Sequence, residues 1–525
     1  MHRYIPLILI AGCIAPGPLT VHPTPEGPMP VLTKALGPFT RPASTVPEAQ
    51  AYFDQGVQMM YAFASDEAPT SFQEAWKRDP DCAMCYWGEA WSWGPYLNGP
   101  MENDDAPHAY TAAREAVKRR DSVTGADRAL IDAMAVRYAP SHDTDERKRL
   151  DTLYAETLRG VYEQYPEDLE TGTLYAEALM LLEPRRGRWN AEDPDIRRIH
   201  AVLEDVLARD IRHPGACHLY IHATESTSVP QKAEICTDYL GNAIPGASHI
   251  NHMPSHTYNR VGRWGEAVRA NIQAWHSDQK AAIGEGFAIY PSHNLHMLLF
   301  AASMDGQGAV AIQAGKDIAK LGDTFRFFEP LALLRFGRFD EILTLKSAPP
   351  QPIPRALWEF AQGYAQLRTG DLAGARDRLS RLDRAIASTP NTSTFRGHTA
   401  DKLVGAVRSI LAGEILRSEG RLDEAIATFE RGIALEDSLI YDEPEPLNFA
   451  VRHWLGAALL EAGRPTDAER VYREALADHP NNGWCLFGLA EALRAQGRTA
   501  EAEEAQTAFE AAWARSDTWI RASRF

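Results

Sequence analysis

Histidine is where this sequence departs from an ordinary chain. Seventeen are present, and nine of them fall between His213 and His296. Three strings hold most of these: His218-x3-His222 with Glu225 behind it, His249-x2-His252-x3-His256, and His293-x2-His296. Residues three, four and seven apart share one face of a helix, so each string presents a row of imidazoles. Imidazole suits Zn, Cu, Fe and Ni, and HxxxH sets two ligands one helical turn apart. The expected ligand set is His218, His222, Glu225, His249, His252, His256, His293 and His296, around a divalent transition metal, Zn or Cu ahead of Fe or Ni. That set exceeds what one zinc takes from a protein, so two ions, or one ion backed by outer histidines, both satisfy it. Asn259, Tyr290 and Asn294 stand next to the strings as outer-shell groups. Clustered imidazoles repel one another when protonated, which favours a neutral state or a bound cation. The bland alternative is a buried polar network that only fixes helix packing.

The elements that position these residues are helices. Helical periodicity runs from residue 48 to the end, without convincing strand alternation. Gly56, Ala68, Phe72, Ala75 and Pro80 stand at offsets 0, 12, 16, 19 and 24, and Gly456, Ala468, Tyr472, Ala475 and Pro480 repeat those offsets. Gly and Ala mark where two helices approach closely, the aromatic fills the space beside them, and Pro ends the second helix. The spacing is that of the tetratricopeptide (TPR) repeat, a helix-turn-helix unit of 34 residues. The expected fold is therefore all-α, a TPR-like α-solenoid wound as a right-handed superhelix of helix-turn-helix repeats. Further pairs are expected over Ala356–Ser388 and Lys402–Asp437, with Gly488 and Ala500 continuing the C-terminal array.

Three alanines, Ala233, Ala267 and Ala311, occupy the close-contact position of successive second helices. Fifteen residues before them stand His218, His252 and His296; eleven before, His222, His256 and Phe300; eighteen before, Gly215, His249 and His293. Seven histidines thus fill three columns. The TPR resemblance implies that these columns line a concave groove. Pro254 demands either a kink or a helix beginning near Asn251. Pro214 opens the helix carrying His218, and Ser292 is placed to cap one beginning at His293.

Five segments resemble a family of bacterial TPR proteins, mostly without an assigned activity: Asp79–Tyr96 (DPDCAMCYWGEAWSWGPY), Leu174–Pro184 (LYAEALMLLEP), His213–Glu225 (HPGACHLYIHATE), His252–Arg263 (HMPSHTYNRVGR) and His293–Leu298 (HNLHML). The family more often has Ala where this chain has Cys85, so the resemblance implies neither a disulfide nor a ligand role for Cys82 and Cys85. Gly88 aligns with Gly56, however, which turns Cys82, Cys85 and Glu89 toward the groove and keeps a metal role open. Cys217 and Cys236 lie on two helices of one unit, as a disulfide or as a buried free pair.

The chain opens with a basic residue and a short apolar run before Ile10-Ala11-Gly12-Cys13, which resembles the lipobox of bacterial lipoproteins. The expected organisation is a lipoprotein-type signal peptide at 1–12, lipidation at Cys13, a Pro-rich tether at 13–47, an N-terminal TPR-like domain with the His-rich groove at 48–320, and a C-terminal TPR array at 321–525. The expected location is the cell envelope, periplasmic or on the outer face, touching membrane only through the lipid. The 525 residues carry 54 Lys+Arg against 71 Asp+Glu, a formal charge of −17, which argues against nucleic acid as a partner. The expected partners are a peptide, protein or small molecule in the groove. The competing class is a metalloenzyme, a hydrolase or a Cu/Fe oxidoreductase, using the same His/Glu cluster with Tyr220, Tyr258 or Tyr290 as acid, base or redox partner. No nucleophile elbow, phosphate loop, Rossmann glycines or HExxH accompanies the histidine strings.

Overall fold

Small residues set the spacing between helices. A Cβ added at Gly56 or Gly88 would stand 2.7 or 2.3 Å from the Phe72 ring, and one at Gly456 or Gly488 would stand 2.4 or 2.2 Å from Tyr472. One aromatic thus presses on the glycine of its own repeat and on the glycine of the next. This is why the offsets recur 400 residues apart. Ala68, Ala75, Ala468 and Ala475 are buried in the same seams, as are Ala233, Ala267 and Ala311. In a computed structural model describing residues 29–184 and 187–525, the chain is an all-α, TPR-like α-solenoid, with no β-strand among the described residues. Helices contact their successors in chain order and also the helix two further on: Pro47–Tyr61 meets Ala83–Ser92, and Leu169–Met180 meets Pro214–Glu225. No helix among the described residues is long and apolar enough to cross a membrane.

The described residues form two compact units, one of residues 29–258 with Arg269–Asn294, the other of Asn259–Val268 with Leu295–Phe525. Along the chain, the second unit runs on from Leu295. In the second unit, the expected pairs are Pro352–Arg368 with Leu372–Ser388 and Ala400–Ser418 with Leu422–Glu436. Gly463 ends the helix Arg452–Glu461 at φ 69°, a left-handed position. There its N–H bonds to Leu460 O and the next N–H to Leu459 O, closing the helix end.

The signal peptide at 1–12 and Cys13 lie outside the described residues. The part of the expected tether that is described, 29–46, has no helix, as its prolines require, but it is not a free leash. Three glutamines on the helix Pro47–Tyr61 hold it: Gln55 Oε1 accepts from Leu32 N (2.8 Å), Gln58 Oε1 from Gly37 N (2.7 Å) and Gln50 Oε1 from Ala43 N (2.8 Å). Arg41 adds ion pairs to Asp127 (2.5 Å) and Asp168 (3.1 Å). Composition reveals an extended segment, and only the amide side chains across from it show that the segment is docked.

These contacts set a stability contrast. Gly488→Ala must displace the Tyr472 ring and is expected to destabilise by about 1–3 kcal/mol. Gly160→Ala, on an exposed helix face with nothing within 4 Å of the new Cβ, is expected to stabilise by about 0.5–1 kcal/mol. Thermal melts of the two variants beside the wild type check both signs.

Candidate metal centre

Pro214 opens the helix Pro214–Glu225 at its first position, and His213 caps it, its Nδ1 accepting from Ala216 N at 3.1 Å. The other ring nitrogen of His213 bonds Glu170 at 2.9 Å, so this histidine is used structurally. His218, His222 and Glu225 then follow on one face of the helix. The next string is broken: Ser248–His252 is one short helix, Met253 is a turn, and Pro254 begins Pro254–Val261. The proline therefore kinks the path, yet His249, His252 and His256 still gather. The last helix begins at Pro291, not at His293. Ser292 lies inside its first turn, and Tyr290, at φ 56°, precedes it.

Seven of the expected ligands, six imidazoles and Glu225, come together in the first unit. His218, His222 and His249 each offer a ring nitrogen within 4.8 Å of the others, and so do His252, His256 and His293. Rings from the two triads adjoin: His222 and His256 have centroids 5.4 Å apart, His249 and His252 5.3 Å. His293 is half-buried and the other five are buried, His252 completely. The cluster is consequently not a row on an open groove.

The hydrogen bonds behind the rings decide which nitrogens face inward. His218 Nδ1 donates to the carbonyl of Tyr61 (2.6 Å), an orphan acceptor at the end of the helix Pro47–Tyr61. His252 Nδ1 pairs with Asn271 Oδ1 (3.0 Å). His222 Nδ1 donates to Glu225 Oε1 (2.6 Å), and His256 Nδ1 donates to Glu225 Oε2. A neutral imidazole whose Nδ1–H meets an acceptor carries its lone pair on Nε2, the arrangement that fixes a metal-binding ring from behind. His218 Nε2 faces His249 Nε2 at 3.1 Å, and His252 Nε2 faces His256 Nε2 at 2.7 Å. Glu225 thus accepts from two imidazoles, and its carboxylate lies within 4.8 Å of a ring nitrogen of each, so it stays in the candidate ligand set.

Burial pushes the His249 imidazole well below the usual histidine range, and His218, His252, His222 and His293 around it push in the same direction. Two aromatic residues with left-handed backbone close over the cluster. Phe63, at φ 60°, lies 4.2 Å from the His218 ring and stacks on His249 at 5.5 Å. The Tyr290 ring meets His249 edge-on at 5.1 Å, and its hydroxyl bonds that of Tyr96 at 2.9 Å. Such strain in non-glycine residues concentrates at functional sites. Of the expected outer-shell groups, Tyr290 touches His249, whereas Asn294 donates to Asp278 at 2.9 Å and to the Ile289 carbonyl at 3.0 Å.

Other expected residues lie elsewhere. His296 falls in the second unit, buried against Phe328 (4.5 Å), its Nε2 without a hydrogen-bond partner. Burial, followed by Arg396, holds it neutral. Asn259 is in that unit too, its amide on the Met297 sulfur at 3.7 Å. Tyr220 turns away to Glu204 (2.6 Å). Cys82 is bonded to Cys85, which takes both thiols out of a ligand set, and Glu89 accepts from Gln73 and Trp76 at 2.8 Å each. Cys217 is bonded to Cys236. Asn271 is an addition with a sequence signal: it stands four residues after Ala267, on the face that meets the histidine helix. The Tyr61 carbonyl and Phe63 have no such signal, being some 150 residues away.

Profiles described as tetratricopeptide repeat match residues 410–438 and 459–508. The chain carries TPR repeats. No curated protein matches the sequence. Among solved structures, it is similar to the APC/C hetero-tetramer Cut9–Hcn1 (17% identity over 87% of this chain and 79% of that one, TM-score 0.31). It is also similar to Naa15/Naa10 bound to HypK-THB (14%, 89% and 70%, TM-score 0.24) and to the P58(IPK) TPR domain (11%, 86% and 99%, TM-score 0.23). TPR repeats mark a protein-binding scaffold.

Asp278 gives the first unit a pH dependence. Burial raises its carboxyl to about 7, against hydrogen bonds from Ser248, Asn294 and Ile289 N that lower it. The folded state then keeps a proton that the unfolded chain releases near pH 4, so stability falls as pH rises between about 4 and 7. Asp278→Asn is expected to flatten that fall, worth on the order of 2 kcal/mol, in urea melts of the metal-free protein at pH 5 and pH 7.5.

Proposed function

We propose that this protein is an extracytoplasmic, lipid-anchored TPR scaffold that holds a divalent transition metal in its histidine cluster and binds a peptide, protein or small ligand on its repeats. The observation that carries the metal reading is the set of Nδ1–H groups on His218, His222, His252 and His256 engaged from behind. Their Nε2 lone pairs converge in a dry space, which is the condition for binding a cation that accepts nitrogen. Mg and Ca want oxygen ligands, whereas the donors gathered here are mainly imidazole nitrogens. Zn and Cu fit the donor set best. Two disulfides, Cys82–Cys85 and Cys217–Cys236, support an oxidising compartment, and the Ile10–Cys13 motif supports an anchor there.

Protein purified without a His-tag is expected to contain Zn or Cu by elemental analysis, and His252→Ala and His256→Ala are expected to lose metal. Metal that is substoichiometric in the wild type and unchanged in the variants would leave only the scaffold. For the anchor, detergent-phase partitioning should vanish on Cys13→Ser; persistence would refute lipidation at that residue.

A further inference from the structure

We infer that the histidine cluster is a two-ion centre: one cation on His218, His222 and His249, a second on His252, His256 and His293, with Glu225 shared behind both. This rests on the metal reading above and specifies it. The same device occurs twice. A pair spaced i, i+4 comes from one segment (His218 and His222; His252 and His256) and the third imidazole from the start of the helix that follows the intervening one (His249 after Glu234–Leu240; His293 after Trp264–Ala281). The two pairs are 34 residues apart, one TPR repeat. Repetition of the fold has therefore repeated the site.

Ligand chemistry requires the division. A structural or catalytic zinc takes three or four protein ligands, and six imidazoles overfill one ion, whereas three per ion leave each with an open position. Two nitrogens on one tetrahedral ion with bonds of about 2.05 Å stand roughly 3.3 Å apart. His218–His249 at 3.1 Å and His252–His256 at 2.7 Å are within a small relaxation of that separation, one such contact in each triad. Glu225 accepts from His222 of the first triad and His256 of the second, so one carboxylate orients a ligand of each ion and neutralises part of their combined charge. The strained Phe63 and Tyr290 both close on His249, on the side of the first triad, while half-buried His293 belongs to the second. The two positions thus differ in access, the second being nearer solvent.

Full-length protein stripped with a chelator and dialysed against Zn(II) is expected to hold two Zn per chain by mass spectrometry of the metal. His249→Asn is expected to keep one, and His252→Asn is expected to keep one. Glu225→Gln is expected to weaken both by about 10–100-fold. His218→Asn and His256→Asn read the same two triads should a first variant fail to fold, judged by helical circular dichroism. With Cu(II), the wild type should show a magnetically coupled pair by electron paramagnetic resonance and each single-triad variant an isolated ion. One Zn in the wild type, lost in variants of either triad, would overturn the two-ion centre and leave a single metal site. Two Zn lost together in every variant would overturn the assignment of one ion per triad. No Zn in the folded wild type would overturn the metal reading as a whole.

Discussion

Everything at the histidine cluster depends on one buried carboxylate held by two imidazoles. Glu225 is 1% exposed, and an ionised carboxylate at that depth costs several kcal/mol unless its oxygens are filled. His222 and His256 fill them from two different helices. The arrangement settles three things together: the spacing of those helices, the tautomer of two imidazoles, and the direction in which their remaining nitrogens point. Both donors are imidazole Nδ1–H groups, so each ring is held through one nitrogen and keeps the other turned away from the carboxylate.

Such an arrangement needs a stiff frame, and the repeat provides it. Glycine against aromatic, as at Gly56, Gly88 and Phe72, lets helices approach to a distance that only those side chains allow. The frame then tolerates strain elsewhere. Phe63 and Tyr290 each hold a left-handed backbone that costs about 1–3 kcal/mol in a residue with a Cβ. Their rings are thereby directed onto His218 and His249, and the docked segment 29–46 braces the helix Pro47–Tyr61, whose terminal carbonyl orients His218.

Periodicity within one helix is legible in a sequence, and contact between helices mostly is not. The offsets around Gly56 and Gly456 disclosed the repeat because the same close approach recurs and allows few residue types. The histidine columns identified six imidazoles that the fold brings together, for the same reason. They failed at His296, where the register continues but the neighbour is Phe328, a residue no column of histidines predicts. They could not give the setting of Glu225, because the second imidazole on its carboxylate stands 31 residues further along the chain. Tyr61 contributes a backbone carbonyl, which every residue has and which therefore leaves no trace in composition.

Burial also separates two activities that the repeat pattern alone would merge. A groove lined by histidines would bring metal and peptide to one surface. Five of the six imidazoles are buried, and the rings of Phe63 and Tyr290 pack against His218 and His249, which favours a small ligand over a polypeptide at the nitrogens. Half-buried His293 is the imidazole closest to solvent. A partner protein would then act on the cluster only through that margin or through the helices that carry it, since orienting groups such as Asn271 and Glu225 sit on those helices rather than in the space they surround. Any coupling between partner and metal would have to run through helix displacement, and the close glycine-to-aromatic contacts make such displacement costly.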